Sequence, residues 1–274
     1  MDTRLMSPRC NTVVRAGALL CALLLLAATN AHAQPRERQP SASTLPHTDR
    51  AGRDRRVDVM LAAGAARATP VSQSFSLTKN LEPAPVTATT QAVWSSGLEA
   101  TLRVRLAGQL HAELSVDHTR SQPLATVDAE IPHPFYFSQP RAISGTSPAL
   151  DRSATGLHAT VSGTLRVTRR LGIDMGGGLS RTALQQALVT DVAWTDRYPF
   201  DSATFASATV TDASGTATGV HALLAVSWQA GPRIAVVWRM RATRARAALQ
   251  AGSLPAMTVD AGGLAPTVGL RVAF

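Results

Sequence analysis

The strongest constraint on this chain is a period of two in its apolar residues, which recurs over most of the sequence after residue 56. In VDVMLAAGA (57–65) and LEATLRVRL (98–106), every second residue is apolar and the residues between them are mostly small, polar or charged. An amphipathic helix would instead repeat its apolar residues at three and four, whereas strict alternation is typical of a β-strand with two different faces. The sequence therefore predicts an all-β fold.

Eight segments carry the alternation, and their connections differ in length. The segments are 57–65, 98–106, 110–116, 157–167, 171–179, 220–228, 234–242 and 268–274. Short turns follow the second, fourth and sixth segments. The links at 67–92, 118–155 and 182–216 are long and rich in Ser, Thr, Pro and Asp, and only the last link, around 245–257, is shorter. Short turns at one end and long loops at the other are typical of an antiparallel transmembrane β-barrel. We expect an eight-stranded up-and-down barrel, with ten strands as the alternative. In the last long link, ALVTDVAW and SATFASATV look like extensions of a hairpin beyond the membrane.

The N-terminal region predicts export and contains both cysteines. Three arginines precede the apolar run AGALLCALLLLAA, and Ala31-His32-Ala33 supplies the small residues of a cleavage site, which together indicate a signal peptide over 1–33. Residues 34–56 are rich in Pro, Ser and charge, so we expect a disordered periplasmic lead-in. The barrel is predicted over 57–274. Cys10 and Cys21 lie in the signal peptide, so thiol chemistry is not expected in the mature chain.

Charged residues on the polar face of the strands indicate which face is inside. Alternation alone fits a soluble lipocalin-like barrel as well as a membrane barrel, because the two differ only in which face points outward. The polar face contains six basic and five acidic residues, although the whole chain has a net charge of +9. Such a balance is expected of ions enclosed in a narrow lumen, where an unpaired charge costs several kcal/mol. The predicted lumen network comprises Asp58, Glu99, Arg103, Arg105, Glu113, Asp117, Arg166, Asp174, Arg239, Arg241 and Arg271.

Four further arginines lie just past the last apolar residue of alternate strands, on the predicted outward face. They are Arg67, Arg120, Arg181 and Arg244. A guanidinium at this height can bind the phosphate of an anionic lipid headgroup through two hydrogen bonds. The alternative is that these charges simply mark where each strand leaves the hydrocarbon.

The alternation in the last segment, PTVGLRVAF, continues to the final residue. This segment and the rest of the chain together resemble a known class of proteins. Small outer-membrane β-barrels of Gram-negative bacteria, such as the OmpA transmembrane domain and OmpX, are similar in the signal peptide, the eight alternating strands and the rhythm of turns and loops. The resemblance implies an outer-membrane location and docking of the last strand against the first. It also implies that the barrel-assembly machinery reads the outward residues Val268, Leu270, Val272 and Phe274.

For function, we expect a barrel with a filled lumen that has a structural or surface-interaction role through long extracellular loops, and no enzymatic activity. One alternative is a small anion-preferring channel lined by the inward arginines. Another is a lipid-modifying enzyme, because His158 with Ser162 and His111 with Ser115 are Ser/His neighbours on the inward face. Nucleic acid is not an expected partner, since the arginines are dispersed and lack interleaved aromatic residues. We expect no cofactor and no metal, and lipopolysaccharide as the lipid partner.

Overall fold

The computed structural model describes residues 56–252 and 255–274. The predicted signal peptide and nearly all of the predicted lead-in lie outside the described residues. Within the described part of the chain no helix is long and apolar enough to cross a membrane.

The described residues form thirteen strands. They are β1 (Val57–Ala68), β2 (Val71–Lys79), β3 (Glu82–Thr90), β4 (Trp94–Ala107), β5 (Leu110–Ser121), β6 (Ala125–Ile131), β7 (Arg141–Thr146), β8 (Arg152–Arg166), β9 (Leu171–Arg197), β10 (Ser202–Gln229), β11 (Ile234–Leu249), β12 (Met257–Asp260) and β13 (Gly263–Ala273). Eight of them, β1, β4, β5, β8, β9, β10, β11 and β13, pair in this order in a closed antiparallel ring. The predicted eight-stranded barrel is confirmed as a fold, and the ten-stranded alternative is wrong.

The terminal strand closes the barrel. β13 pairs with β1 on one side and with β11 on the other, so the end of the chain lies against its first strand. The amide of Phe274 donates to the carbonyl of Val57 at 2.9 Å. The alternation at the end of the sequence therefore belongs to a strand that is paired on both edges, and the expected docking of the last strand against the first is confirmed.

Two of the long links are not the loops that we expected. The segments 67–92 and 118–155 contain β2, β3, β6 and β7, which pair in this order as a second, four-stranded sheet. This sheet packs against the outer parts of β9 and β10, which extend beyond the barrel as the sequence predicted. We call residues 69–93, 122–151 and 187–212 the distal unit. Its core contains Phe75, Ala84, Val86, Ala88, Val127, Ala129, Ile131, Ile143, Val189, Val192 and Ala208.

The apolar face changes sides along β9, β10 and β11. In the barrel, the outward residues Leu179, Val220 and Trp238 are 63%, 56% and 38% exposed. Past Arg181 on β9 and Arg244 on β11, the opposite face becomes apolar, and Leu184 and Leu249 are almost completely buried. The buried set at this level forms a second core that joins the barrel to the distal unit. The same strands thus present apolar residues outward below the two arginines and inward above them.

Candidate functional site

A single chain of alternating charges crosses the lumen of the barrel. At one end, Arg271 Nη1 is 3.1 Å from Asp174 Oδ2, and the same carboxylate oxygen is 3.0 Å from Arg103 Nη1. Arg103 continues through its Nε, which is 3.7 Å from Glu113 Oε1. These four side chains come from β13, β9, β4 and β5, so this half of the chain ties together strands on different sides of the barrel.

The second half continues from Glu113 to the other end. Arg239 bridges two carboxylates, with Nη2 at 2.7 Å from Glu113 Oε2 and Nη1 at 2.7 Å from Glu99 Oε1. Arg241 then pairs with Glu99 and, through Nη1, with Asp117 Oδ2 at 2.7 Å. Four guanidinium groups therefore alternate with four carboxylates.

These charged side chains must balance one another because they are buried. The side chains of Arg103, Arg239 and Arg241 are 3–6% exposed, and those of Glu99, Glu113 and Asp174 are 1–3% exposed. An uncompensated ion in such a position costs several kcal/mol, whereas paired ions with well-formed hydrogen bonds do not. An eight-stranded barrel has an interior just wide enough for side chains, and here paired ions occupy it.

Three predicted lumen residues lie outside the run of ion pairs. Asp58 is partly buried and interacts electrostatically with Arg271 and Arg103, but no cationic nitrogen of the described residues is within salt-bridge distance of it. Arg105 bends back to its own turn, where its Nε donates to the carbonyl of Gly108 at 2.8 Å. Arg166 is exposed at the last position of β8. Both arginines lie next to short turns, at the edge of the enclosed region.

Asp117 also begins a chain of hydrogen bonds that we did not predict. Its Oδ2 lies 3.1 Å from Nε2 of His158, and Nδ1 of His158 lies 2.8 Å from the hydroxyl of Ser180. That hydroxyl is also 2.8 Å from Nδ1 of His221, and Nε2 of His221 is 2.8 Å from the hydroxyl of Thr160. The register of β8 and β9 places His158 directly opposite Ser180, and no signal in the sequence specifies that register.

The Asp117–His158–Ser180 arrangement has the residue types of a nucleophile, a base and an orienting group. However, Ser180 and His158 are 2% and 3% exposed and face the filled lumen, where a substrate cannot approach the hydroxyl. The Ser/His neighbours named for the enzyme alternative, His158 with Ser162 and His111 with Ser115, form no hydrogen bond with each other among the described residues. Ser162 donates to Glu113 Oε1 at 2.5 Å, and His111 contacts Arg103 and Thr164.

The four outward arginines are spread around the barrel. Arg67, Arg120, Arg181 and Arg244 are all exposed, on β1, β5, β9 and β11, which are alternate strands of the ring. With one strand between each pair, neighbouring arginines are about 10 Å apart across the sheet. Among the described residues, none of the four has a carboxylate partner. They encircle the level at which the apolar face changes sides.

Just above this level, a buried arginine lies over the top of the lumen. Arg152 donates to Gln186 Oε1 at 3.2 Å and to the carbonyl of Asp260 at 3.3 Å. Burial lowers the pKa of the Arg152 guanidinium.

The outward residues of the terminal strand face the surroundings. Val268, Leu270 and Phe274 are 54%, 57% and 48% exposed, and Val272 is half-buried. They form part of the apolar band around the barrel.

The second candidate site is a cluster of aromatic rings at the end of the distal unit. We call Phe135, Tyr136, Phe137, Tyr198 and Phe200 the aromatic tip. The chain has twelve aromatic residues of the types Phe, Trp and Tyr, so nearly half of them lie in this cluster. The sequence signals for it are FYF at 135–137 and YPF at 198–200, both within links that the sequence predicts as loops.

No group of three or more His, Cys, Asp or Glu within the described ranges is arranged to hold a metal ion.

No protein-family model and no curated protein matches the sequence. Solved structures similar in fold include Neisserial surface protein A, at 14% identity and a TM-score of 0.44, covering 80% of this chain and 97% of that one. The outer membrane protease OmpT from Escherichia coli is 9% identical with a TM-score of 0.45, covering 80% and 97%. The attachment invasion locus protein Ail of Yersinia pestis is 10% identical with a TM-score of 0.37, covering 79% and 98%. The likeness is to small outer-membrane β-barrels and concerns the fold; the closer resemblance to the OmpA transmembrane domain and OmpX stays a prediction.

Proposed function

We propose that this protein is an outer-membrane β-barrel without enzymatic activity, whose lumen is closed and which acts at the cell surface through its distal unit. The observation that carries the proposal is the change of apolar face at the level of Arg181 and Arg244. A strand immersed in water throughout would keep its apolar residues on the buried face. Apolar residues that face outward below a ring of arginines and inward above it fit a boundary between hydrocarbon and water.

The lumen network supports a closed barrel over a channel. The four arginines enclosed in the lumen, Arg103, Arg239, Arg241 and Arg271, are each already within hydrogen-bond distance of a carboxylate. An anion entering the lumen would have to displace a buried partner, which costs several kcal/mol. The channel alternative therefore has little support.

The burial of Ser180 and His158 supports the absence of catalysis. A nucleophile needs space for the substrate beside its hydroxyl group, and this hydroxyl lies between two imidazole rings inside the barrel. We assign the Asp117–His158–Ser180–His221 chain to filling and rigidifying the lumen.

Two partners follow from the same proposal. Arg67, Arg120, Arg181 and Arg244 lie at the height of the lipid headgroups, where they would bind the phosphates of lipopolysaccharide. Val268, Leu270, Val272 and Phe274 would be the residues that the barrel-assembly machinery reads. The terminal strand fits this role because its apolar residues face outward.

The proposal is tested by three measurements on the purified mature chain and one on whole cells. It should require detergent to stay monodisperse, should migrate differently on gels before and after heating, and should give no steady openings in planar bilayers. On whole cells, external protease should cut within the distal unit only. A monodisperse mature chain in plain buffer would refute the membrane assignment, and steady anion-selective conductance would refute the closed lumen.

A further inference from the structure

The aromatic tip is the most exposed apolar surface of the distal unit. Phe135, Tyr136, Phe137 and Tyr198 are 68%, 59%, 73% and 83% exposed. Leu81, in the turn between β2 and β3, is 89% exposed, and this turn is adjacent because Ser138 donates its amide to Glu82 Oε1 at 2.8 Å. Contiguous exposed apolar side chains of this kind mark interaction sites on soluble surfaces.

The tip is held in a defined shape by the residues below it. Nη1 of the buried Arg141 donates to Asp196 Oδ1 at 2.7 Å and to the carbonyl of Phe200 at 2.9 Å. Its Nη2 donates to the carbonyl of Pro132 at 3.0 Å, so that one guanidinium fastens the β6–β7 loop to the β9–β10 turn. His133 Nδ1 accepts the amides of Phe135 and Tyr136 at 3.1 and 3.2 Å.

The rings also contact one another, both between the two loops and within the β9–β10 turn. Phe135 and Phe200 meet edge to face, with their centroids 5.2 Å apart, and Tyr198 and Phe200 meet in the same way at 5.9 Å. Because its backbone is held by hydrogen bonds from the buried Arg141 and from His133, the tip loses little conformational entropy when a partner binds. Such preorganisation increases affinity.

The charged residues of the distal unit around the tip favour a partner of positive charge. The distal unit contains three basic residues, Lys79, Arg141 and Arg197, against eight acidic ones, a net charge of −5 in a chain whose total is +9. Lys79 is 2.9 Å from Asp191 and Arg141 is paired with Asp196, whereas Asp128, Glu130 and Asp201 are exposed. An anionic membrane and a second copy of the same unit would both be repelled.

The aromatic tip lies far from the membrane in which the barrel would be embedded. Arg197, at the end of β9, is sixteen residues beyond Arg181, and an extended strand of that length spans about 50 Å. The rings are therefore carried well beyond the headgroups that Arg181 would contact.

We propose that the aromatic tip binds a basic polypeptide surface that also exposes apolar side chains. The rings would supply the buried contact, and the carboxylates around them would steer and orient the cationic partner. This inference rests on the surface-interaction role proposed above and names the class of partner for it.

The test uses the full mature chain in nanodiscs and three synthetic peptides of equal length as probes. One peptide contains lysine and leucine, the second has serine in place of leucine, and the third has glutamate in place of lysine. Only the lysine–leucine peptide should bind appreciably, and affinity should fall with salt. Replacing the rings (Phe135→Ser, Phe137→Ser and Tyr198→Ser together) should weaken binding at least ~10-fold. The matched control is Leu124→Ser, an apolar residue of the distal unit that is 53% exposed outside the tip and should leave binding unchanged.

A second variant separates charge from apolar contact. Asp128→Asn, Glu130→Gln and Asp201→Asn together remove three exposed carboxylates and keep the rings. Association at low salt should slow about 10-fold, and the salt dependence should weaken. The gel shift on heating shows whether every variant has folded its barrel.

Several results would overturn the inference. Equal binding of the peptide by the native and ring-deficient proteins would do so, as would no binding of the lysine–leucine peptide. Ring-dependent binding to vesicles of phosphatidylcholine, alone or with phosphatidylglycerol, would assign the tip to a membrane instead. Ring-dependent self-association would assign it to a second copy. If peptide binding fails while the barrel is non-conducting and the distal unit is cut on cells, this inference falls and the proposed function stands.

Discussion

The barrel and the distal unit are built from the same alternating pattern but place it in opposite ways. In the barrel, apolar residues such as Leu98 and Leu270 are exposed and the interior is ionic. In the distal unit, Val127 and Ile131 are completely buried, while the outer face of the sheet carries Ser and Thr side chains. The difference shows that the alternation specifies only that there are two faces. The medium around each part decides which face is inside.

The junction between the two regions is sharp because it lies within continuous strands. β9 and β10 belong to both regions, so no linker separates the two arrangements. The second core, which includes Leu184, Ala217 and Leu249, begins where the outward arginines end the apolar band. The following predictions test whether each region depends on its own arrangement.

The largest effect is expected from breaking the lumen network at its centre. Arg239→Met would leave Glu99 and Glu113 without their shared guanidinium, and removing one partner of a buried pair costs about 3–5 kcal/mol. Denaturant unfolding in micelles, followed by the gel shift, measures the loss. The control is Arg246→Met, because Arg246 is 69% exposed and 3.7 Å from Asp260, so that this change should cost less than about 1 kcal/mol. Equal losses for the two variants would mean that the ions do not organise the barrel.

The sequence predicts which residues of this network face the lumen, because that follows from strand parity, but it does not predict the strand register. Glu99, Arg103, Arg239 and Arg241 were assigned inward from parity alone, because apolar neighbours fixed the other face. Which acid pairs with which base was not predictable, since that depends on the register across the barrel. The His158–Ser180 contact was missed for the same reason.

The distal sheet was missed for a different reason. In VSQSFSLTK the inward positions include the polar Gln73 beside Val71 and Phe75, and in EPAPVTATT they hold only Ala and Val as apolar residues. The intervening Ser, Thr and Pro are typical of loops. The period of two is present, but the alternating positions differ too little in hydrophobicity to distinguish a strand from a loop. Buried alanines such as Ala84 and Ala88 provide core contacts without a strong sequence signal.

The second prediction tests whether the distal unit has its own core. Ile131 is completely buried there, and Ile131→Ala should destabilise the unit by about 2–5 kcal/mol because it leaves a cavity. Limited proteolysis should become faster within 69–93 and 122–151, whereas the barrel should keep its gel shift. Thr126→Ala, on the exposed face of the same strand, is the control and should change neither. Loss of the gel shift with Ile131→Ala would show that the barrel depends on the distal core.

The third prediction places one substitution on the exposed face of each region. Leu270→Arg puts a charge on the apolar band of the barrel, where it should cost about 2–4 kcal/mol if that face meets hydrocarbon. Thr87→Arg puts the same side chain on the exposed face of the distal sheet, where the change should stay within about 0.5 kcal/mol. Refolding yield and unfolding in phospholipid bilayers compare the two. Similar small effects would indicate that the barrel face is in contact with water.

The smallest effect concerns the arginines at the boundary itself. Arg67→Gln, Arg120→Gln, Arg181→Gln and Arg244→Gln should each weaken association with lipopolysaccharide by about 1 kcal/mol, the value for a basic residue beside an anionic lipid surface. Binding to nanodiscs with and without lipopolysaccharide measures the difference. The Arg→Lys versions keep the charge but lose the planar pair of donors, so they should recover part of the affinity if phosphate is bound bidentately. Arg246→Gln is the matched control, because it is exposed on the same face of β11 one step beyond Arg244. If all five changes have the same effect, the four arginines mark only where the strands leave the hydrocarbon, and the boundary seen on β9 and β11 needs no lipid partner.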